Sequence, residues 1–180
     1  MKELNNDIVK YMVRREWSKD RRIERKKELF RLAKQSKSET DIAHKIGGML
    51  IYNQVIEQYL ADIIDMSIHY IKADLWPVTI DLQIDADKAT FGKTIEYFRQ
   101  YATIEPNREV LLEDLKKYNI KRNMVVHDLF DIRDLHRLSA ELDEYADLAE
   151  QILKMLSDYE EEVCKNFREL EMRVDFRSML

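Results

Sequence analysis

Residues that bend or end a helix are scarce in this chain: only three of its 180 residues are glycine and two are proline. Charged residues make up 36% of the sequence and apolar residues 45%, and no strand-rich repeat is evident. A chain with so few turn residues is expected to build long helices. The length suits one domain with its own core. The sequence therefore predicts an all-α fold, an elongated up-and-down bundle of about five helices with long N- and C-terminal helices.

Charge is divided unevenly along the chain. Residues 1–37 hold thirteen Lys/Arg and six Asp/Glu, a balance of +7, whereas residues 38–180 hold seventeen and twenty-nine, a balance of −12. We predict a basic N-terminal helix over residues 1–37, an arm of the same domain, and a helical bundle domain over residues 38–180. Two interpretations of the arm stay open: it touches nucleic acid, or it is a solvated helix.

The sequence also indicates the cellular compartment of the protein. No apolar run approaches the roughly 18 residues of a membrane span, and the first residues lack the apolar centre of a signal peptide. Cys164 is the single cysteine, so neither an internal disulfide nor a Cys-based zinc site is expected. These features predict a cytoplasmic protein with no membrane partner.

The second predicted helix, residues 41–72, carries an apolar seam at spacings of three and four. Gly47 and Gly48 lie inside it, and glycine weakens a helix interior by about 1 kcal/mol, which predicts the close approach of another backbone there. Asn53 falls on the buried stripe and Glu57 lies beside it. Buried polar groups need partners, so Asn53 is expected to meet water or backbone, or to support a site residue.

Four further helices complete the predicted bundle. Residues 78–84 are predicted to form an extended crossover; a strand that pairs with a second subunit is the less favoured alternative for this segment. A first helix covers residues 5–34, and a third covers residues 88–101 with Asp85 or Asp87 as its cap. Asn107 is the expected N-cap of a fourth helix over residues 108–130. A heptad pattern from about residue 132 predicts a last helix of roughly 60 Å, whose end is expected to reach a partner chain.

The fourth predicted helix carries the residues with chemical potential. Arg122 falls on its apolar seam, where a guanidinium needs an acid, a phosphate or several acceptors. His127 lies about 140° further round the helix, on the face that Asn123 shares. Ile120 and Met124 also lie on that face, so the helix is apolar nearly all round and is expected to pack on a second subunit.

The segment Arg122-Asn123-x-x-x-His127, which ends a helix and precedes another, resembles the R-x4–6-H motif of the HEPN superfamily. The upstream stretch over residues 87–95 is similar to HEPN-like families that include mannitol-operon-repressor-like proteins. The resemblance covers about residues 40–155. It implies a helical bundle that dimerises and brings two Arg/His pairs into one cleft. Many such proteins are metal-independent endoribonucleases, often toxins or anti-phage effectors.

The resemblance also implies roles for individual residues. His127 would be the acid–base group, Arg122 the phosphate clamp and Asn123 the residue that orients the site. Glu57, Asn53 and Asp128 are expected to support them from behind. No cofactor and no metal is expected. The implied partners are a second copy of the chain, an RNA substrate, and an antitoxin or other partner protein.

Several alternatives stay open. Toxins of this superfamily that pair with minimal nucleotidyltransferases usually carry a Tyr two residues after the His, where this chain has Leu129, so an antitoxin that modifies such a Tyr is not expected. His127-Asp128 also resembles the central pair of HD-type metal phosphohydrolases, with upstream ligands from His44 or His69 and downstream ones from Asp143 or Asp147. Residues 127, 131, 134 and 136 could form a metal site or simply a polar turn. Lastly, Arg122 and His127 could be structural, in a non-catalytic interaction or regulatory protein.

Overall fold

The computed structural model describes residues 23–37, 41–75, 84, 86, 89–102, 107–128 and 135–178. Within these ranges, the side chains at positions 73, 127, 128, 135 and 170–178 lie outside the description. The predicted all-α bundle of five helices is confirmed. Helix α1 is described over residues 23–37, and the others are α2 (Ile42–Asp74), α3 (Phe91–Tyr101), α4 (Arg108–Asp128) and α5 (Leu135–Ser178). None of the described residues forms a strand.

The helix boundaries follow local chemistry. Asp41 begins α2, because its Oδ1 accepts a hydrogen bond from the backbone N–H of Ala43 at 3.1 Å. Helix α3 begins at Phe91 and not near residue 88 as predicted, since the carbonyl of Thr90 accepts the first helical bond, from the N–H of Thr94. Its predicted caps, Asp85 and Asp87, lie outside the described residues. Asn107 precedes α4 with a φ of 78°.

Helix directions can be read from side-chain pairs. Lys45, Tyr52 and Met66 of α2 each contact a residue of α5 that lies 98 positions later. A constant offset means that α2 and α5 run parallel. Helix α4 runs antiparallel to α5, because Asp114 meets Gln151 whereas Lys121 meets Glu144. Helix α3 runs antiparallel to α4, because Phe91 lies beside Tyr118 whereas Arg108 donates to the carbonyl of Ala102. The up-and-down order is therefore interrupted between α2 and α3, where the crossover was predicted; residues 76–83 lie outside the description.

The core lies between α2, α4 and α5, and the predicted apolar seams supply it. Met49, Ile56, Leu60 and Ile63 of α2 are buried, as are Leu138, Leu142, Ala149, Ile152 and Leu156 of α5. Burying large apolar side chains contributes most of the favourable free energy of such a bundle. The fold therefore rests on the three- and four-residue spacing of these seams.

Helix α1 is fixed to the bundle at two places. A Cβ on Gly48 would lie 2.7 Å from the Cβ of Ser36, so α1 approaches α2 too closely for a side chain. This confirms the predicted close approach at Gly48, whereas Gly47 has nothing within 4 Å and the same prediction is wrong there. Farther along, the buried ammonium of Lys26 lies 2.9 Å from Asp62 of α2 and 3.2 Å from Glu160 of α5.

Candidate functional site

Arg122 lies where α2, α3 and α4 meet. Its neighbours on the α4 seam, Leu115, Tyr118 and Val125, are buried, yet 32% of the Arg122 side chain is exposed. Arg122 thus lies on the buried side of α4, as predicted. Its guanidinium reaches the surface, whereas the aliphatic part of the side chain covers apolar neighbours. The Cζ atom lies 5.4 Å from the centre of the Phe91 ring, within the range of a cation–π contact.

Glu57 of α2 faces this guanidinium. The nearest pair of atoms, Arg122 Nη2 and Glu57 Oε1, is 3.9 Å apart, which allows attraction but is too long for a hydrogen bond. Burial raises the pKa of the Glu57 carboxyl above its ordinary value, and the positive charge of Arg122 offsets part of that rise. Among the described residues, Arg122 donates no hydrogen bond. Its planar array of N–H donors has the geometry that suits an oxyanion.

Asn53 is buried as predicted, and its partners are two tyrosines. Its Oδ1 accepts hydrogen bonds from the hydroxyls of Tyr118 at 2.8 Å and Tyr145 at 2.5 Å. Burial raises the pKa of both phenols, so both stay neutral donors at physiological pH. Asn53 therefore does not bond to Arg122 directly; it fixes Tyr118, whose ring lies 5.7 Å from that of Phe91, the ring against the guanidinium.

The remaining predicted site residues lie further along α4. Asn123 is exposed, whereas the side chains of His127 and Asp128 lie outside the described residues. The backbone of α4 runs through residue 128, so position 127 lies about 140° from position 122 around the helix. That register places position 127 on the face of Ile120 and Asn123, away from the face that meets Glu57.

This second face of α4 exposes apolar surface. The exposed fractions are 60% for Ile120 and 54% for Met124, two residues that are four apart and therefore adjacent on the helix. Val126 is exposed as well, but it lies about 120° from Ile120 around the helix and so does not belong to this face. The predicted second apolar face thus exists and is uncovered in the single chain, and its packing on another subunit stays a prediction.

The residues of the alternative metal sites are separately engaged. His44 pairs with Asp41 at 2.8 Å, and Asp143 accepts from Lys45 at 2.7 Å. Asp147 pairs with Lys37. Among the side chains that the structure describes, no three His, Cys, Asp or Glu residues are grouped as metal ligands would be. The described helices also contain no segment long and apolar enough to cross a membrane.

A cleft of about 670 Å³ borders the pair of Arg122 and Glu57, and no pattern in the sequence predicted it. Glu57 belongs to its lining, together with residues from α1, from α3 and from the segment before α3. These residues are far apart in sequence, and small side chains such as Ala61 leave the space open. The spacing of residues along one helix does not predict such a cleft, because the cleft forms where several helices pack together.

No protein-family model, curated protein or solved structure matches this chain. The site is therefore interpreted from its own residues and geometry.

Proposed function

We propose that this protein is a metal-independent endoribonuclease that works as a homodimer, with Arg122 as the phosphate-binding residue and His127 as the acid–base residue. One observation carries the proposal. Arg122 is about one-third exposed on a seam of buried residues and lies over Phe91. It faces Glu57 at a distance that leaves its donors without hydrogen bonds to the described residues. A structural arginine in such a position would be expected to satisfy those donors.

The chemistry requires few protein groups, because RNA supplies its own nucleophile. A basic imidazole removes the proton of the 2′-OH, and the 2′-oxygen forms a bond to phosphorus. The bond from phosphorus to the 5′-oxygen breaks, and a second, protonated imidazole gives that oxygen its proton. The products are a 2′,3′-cyclic phosphate and a 5′-OH. An imidazole with an ordinary pKa of about 6.5 suits both tasks.

In this proposal, a symmetric dimer supplies the two imidazoles, one from each copy of His127. Because position 127 lies about 140° from position 122 around α4, the guanidinium and the imidazoles that act on one phosphate are proposed to meet only in the dimer. There Arg122 stabilises the negative charge that develops on the phosphate oxygens, because its donors form a rigid planar fork. Phe91 and Glu57 hold the guanidinium near its working position before RNA arrives, which reduces the ordering needed on binding. Asn123, exposed one residue after Arg122, is proposed to orient the strand. Asp128 is proposed to support His127.

A second candidate function is a non-catalytic interaction or regulatory module. The exposed Ile120 and Met124 favour it, because adjacent exposed apolar side chains on one helix face are typical of protein contacts. Both candidates require a partner on this face. They differ in chemistry: in the interaction module, Arg122 and His127 are dispensable for any reaction.

The proposal extends to partners and context. An antitoxin or another partner protein that covers the same α4 face would block dimerisation and so restrain the nuclease. A role as a toxin or defence effector in the cytoplasm follows from the resemblance alone. The experiment that tests the function is RNA cleavage by purified protein in the presence of EDTA, with Arg122→Ala and His127→Ala as variants.

A further inference from the structure

The cleft beside Arg122 has the size and the walls of a ligand site. Its volume of about 670 Å³ lies within the range of known small-molecule pockets. Its apolar walls consist of small or aliphatic side chains: Leu29, Val55, Ala61, Ala86 and Ala89. Five apolar residues among the eleven that line the cleft leave room for a ring, and the polar lining residues are available to the polar groups at its edge.

Polar groups of α2 converge on the same cleft. Gln54 and Gln58 both line it, and they are four residues apart, so their amides lie on one face of α2 with Glu57 between them in sequence. The Gln58 Nε2 donates to Asp62 at 3.1 Å, which orients the amide and leaves its carbonyl oxygen free of that bond. Amides present donors and acceptors together, as the edge of a nucleobase requires.

The rim of the cleft carries a positive charge. Arg25 of α1 lines it and is exposed, and among the described residues its partner is the exposed Glu28, a pairing of little energetic value. The neighbouring Lys26 is buried and engaged with Asp62 and Glu160, so it has no charge to offer a ligand. Among the residues of α1 that the structure describes, Arg25 is therefore the cation that could meet an incoming phosphate.

Glu57 connects this cleft to the proposed catalytic site. It lines the cleft and also lies 3.9 Å from Arg122. The cleft therefore adjoins the carboxylate that faces Arg122, although Arg122 itself is not part of the lining. The cleft thus combines an apolar slot, an edge of amides, a cation at its rim and continuity with a phosphate-binding arginine.

We propose that this cleft binds one nucleotide of the RNA strand next to the scissile phosphate, with the base between the apolar walls, its edge on Gln54 and Gln58, and its flanking phosphate on Arg25. The inference rests on the proposed nuclease function, because it assigns the substrate contact of that site. It predicts that the enzyme prefers certain bases at one position of the RNA strand. It also assigns to helix α1 the binding of a phosphate through Arg25.

The test uses binding, which does not depend on cleavage. The probe is a short, fluorescently labelled 2′-O-methyl RNA of mixed sequence, which lacks the nucleophile. We expect Gln54→Leu and Arg25→Ala each to weaken its affinity by about threefold to tenfold, as loss of one hydrogen bond or one charged contact does. Gln100→Leu and Arg137→Ala are matched controls, since both residues are exposed and neither lines the cleft. The controls should bind as the wild type does.

A second measurement maps the nucleotide preference on unmodified RNA of random sequence. If the wild type cleaves with a preference that Gln54→Leu relaxes, both proposals are supported. If it cleaves and the cleft variants bind and cleave unchanged, the cleft proposal is overturned while the nuclease proposal stands. If it binds RNA through the cleft residues without cleaving, the nuclease proposal fails alone. If the control variants lose as much RNA affinity as the cleft variants, the proposal that the cleft binds RNA is also overturned.

Free nucleotides provide the last arm of the test. The four nucleoside monophosphates are titrated against the wild type and Arg25→Ala. Weak binding that parallels the RNA result supports a strand-binding site. Tight mononucleotide binding that needs Arg25, together with RNA affinity that does not, would overturn strand recognition and assign the cleft to a free nucleotide.

Discussion

Glu57 and Arg122 face each other at 3.9 Å, on helices α2 and α4, in a position where neither is fully buried and neither hydrogen-bonds the other. At such a distance the attraction is modest, and the Glu57 carboxyl is still partly withdrawn from water. The pair therefore holds the guanidinium in place without using its donors. This arrangement suits an arginine that has to exchange one anion for another.

The pH dependence of stability tests the balance at Glu57. Folding raises the pKa of this carboxyl, so between its ordinary and raised values the folded state holds more protons than the unfolded state. The free energy of unfolding therefore falls as the pH rises through that window. Glu57→Gln removes this loss, and we expect a stabilisation at pH 7 of less than about 1 kcal/mol, because the side chain is partly solvated.

Thermal unfolding of the wild type and Glu57→Gln at pH 7 and near pH 4 would measure the effect. The difference between the two proteins should shrink at the lower pH, where the carboxyl is protonated. A variant that is less stable than the wild type at pH 7 would contradict this account, since attraction by Arg122 would then outweigh burial.

The bonds of Asn53 to Tyr118 and Tyr145 make a second prediction. Asn53→Leu leaves two buried hydroxyls without their acceptor, and we expect it to lower the free energy of unfolding by about 2–4 kcal/mol. Adding Tyr118→Phe and Tyr145→Phe removes the unpaired hydroxyls and should recover most of the loss. Chemical denaturation measures all three proteins. If the triple variant is as unstable as Asn53→Leu alone, the loss in the free energy of unfolding comes from packing and not from hydrogen bonding.

The two adjacent glycines of α2 form a matched pair. Gly47 has open space around it, so Gly47→Ala should raise the free energy of unfolding by about 1 kcal/mol through helix propensity. Gly48→Ala places a methyl group 2.7 Å from the Cβ of Ser36 and should lower it by about 1–3 kcal/mol. Equal responses, measured by urea denaturation, would mean that α1 does not lie against α2 at this point.

The exposed face of α4 predicts the quaternary structure. We expect the wild type to be a dimer in light-scattering measurements, and Ile120→Glu to weaken dimerisation at least tenfold by placing a charge within an apolar contact. Leu50→Glu is the control, because Leu50 is similarly exposed but belongs to α2. A monomeric wild type, or equal dissociation of both variants, would contradict dimerisation through this face.

Sequence spacing was sufficient for the parts of the fold that repeat. The seams of α2, α4 and α5 are buried where the three- and four-residue spacing places them, and even Asn53 was correctly placed on a buried stripe. Spacing fixes which side of a helix is apolar, but not which helix covers it. The parallel alignment of α2 and α5 was therefore not foreseen.

The site was only partly predictable for the same reason. Glu57 was expected to support Arg122 and is the carboxylate that faces it. Phe91 was not among the predicted site residues, yet it lies against the guanidinium. The tyrosine partners of Asn53 come from two other helices. Such contacts depend on the relative placement of helices that are far apart in sequence, and one chain alone gives no pattern for them.

The most direct measurement is cleavage of single-stranded and structured RNA by the purified protein with EDTA present. We expect products that end in a 2′,3′-cyclic phosphate and a 5′-OH, and a loss of at least a hundredfold in rate for both Arg122→Ala and His127→Ala, as for removal of a charge-stabilising or acid–base group. Arg137→Ala should cleave as the wild type does. Cleavage that persists unchanged in both site variants, or no cleavage of any RNA by a folded wild type, would contradict the proposed function.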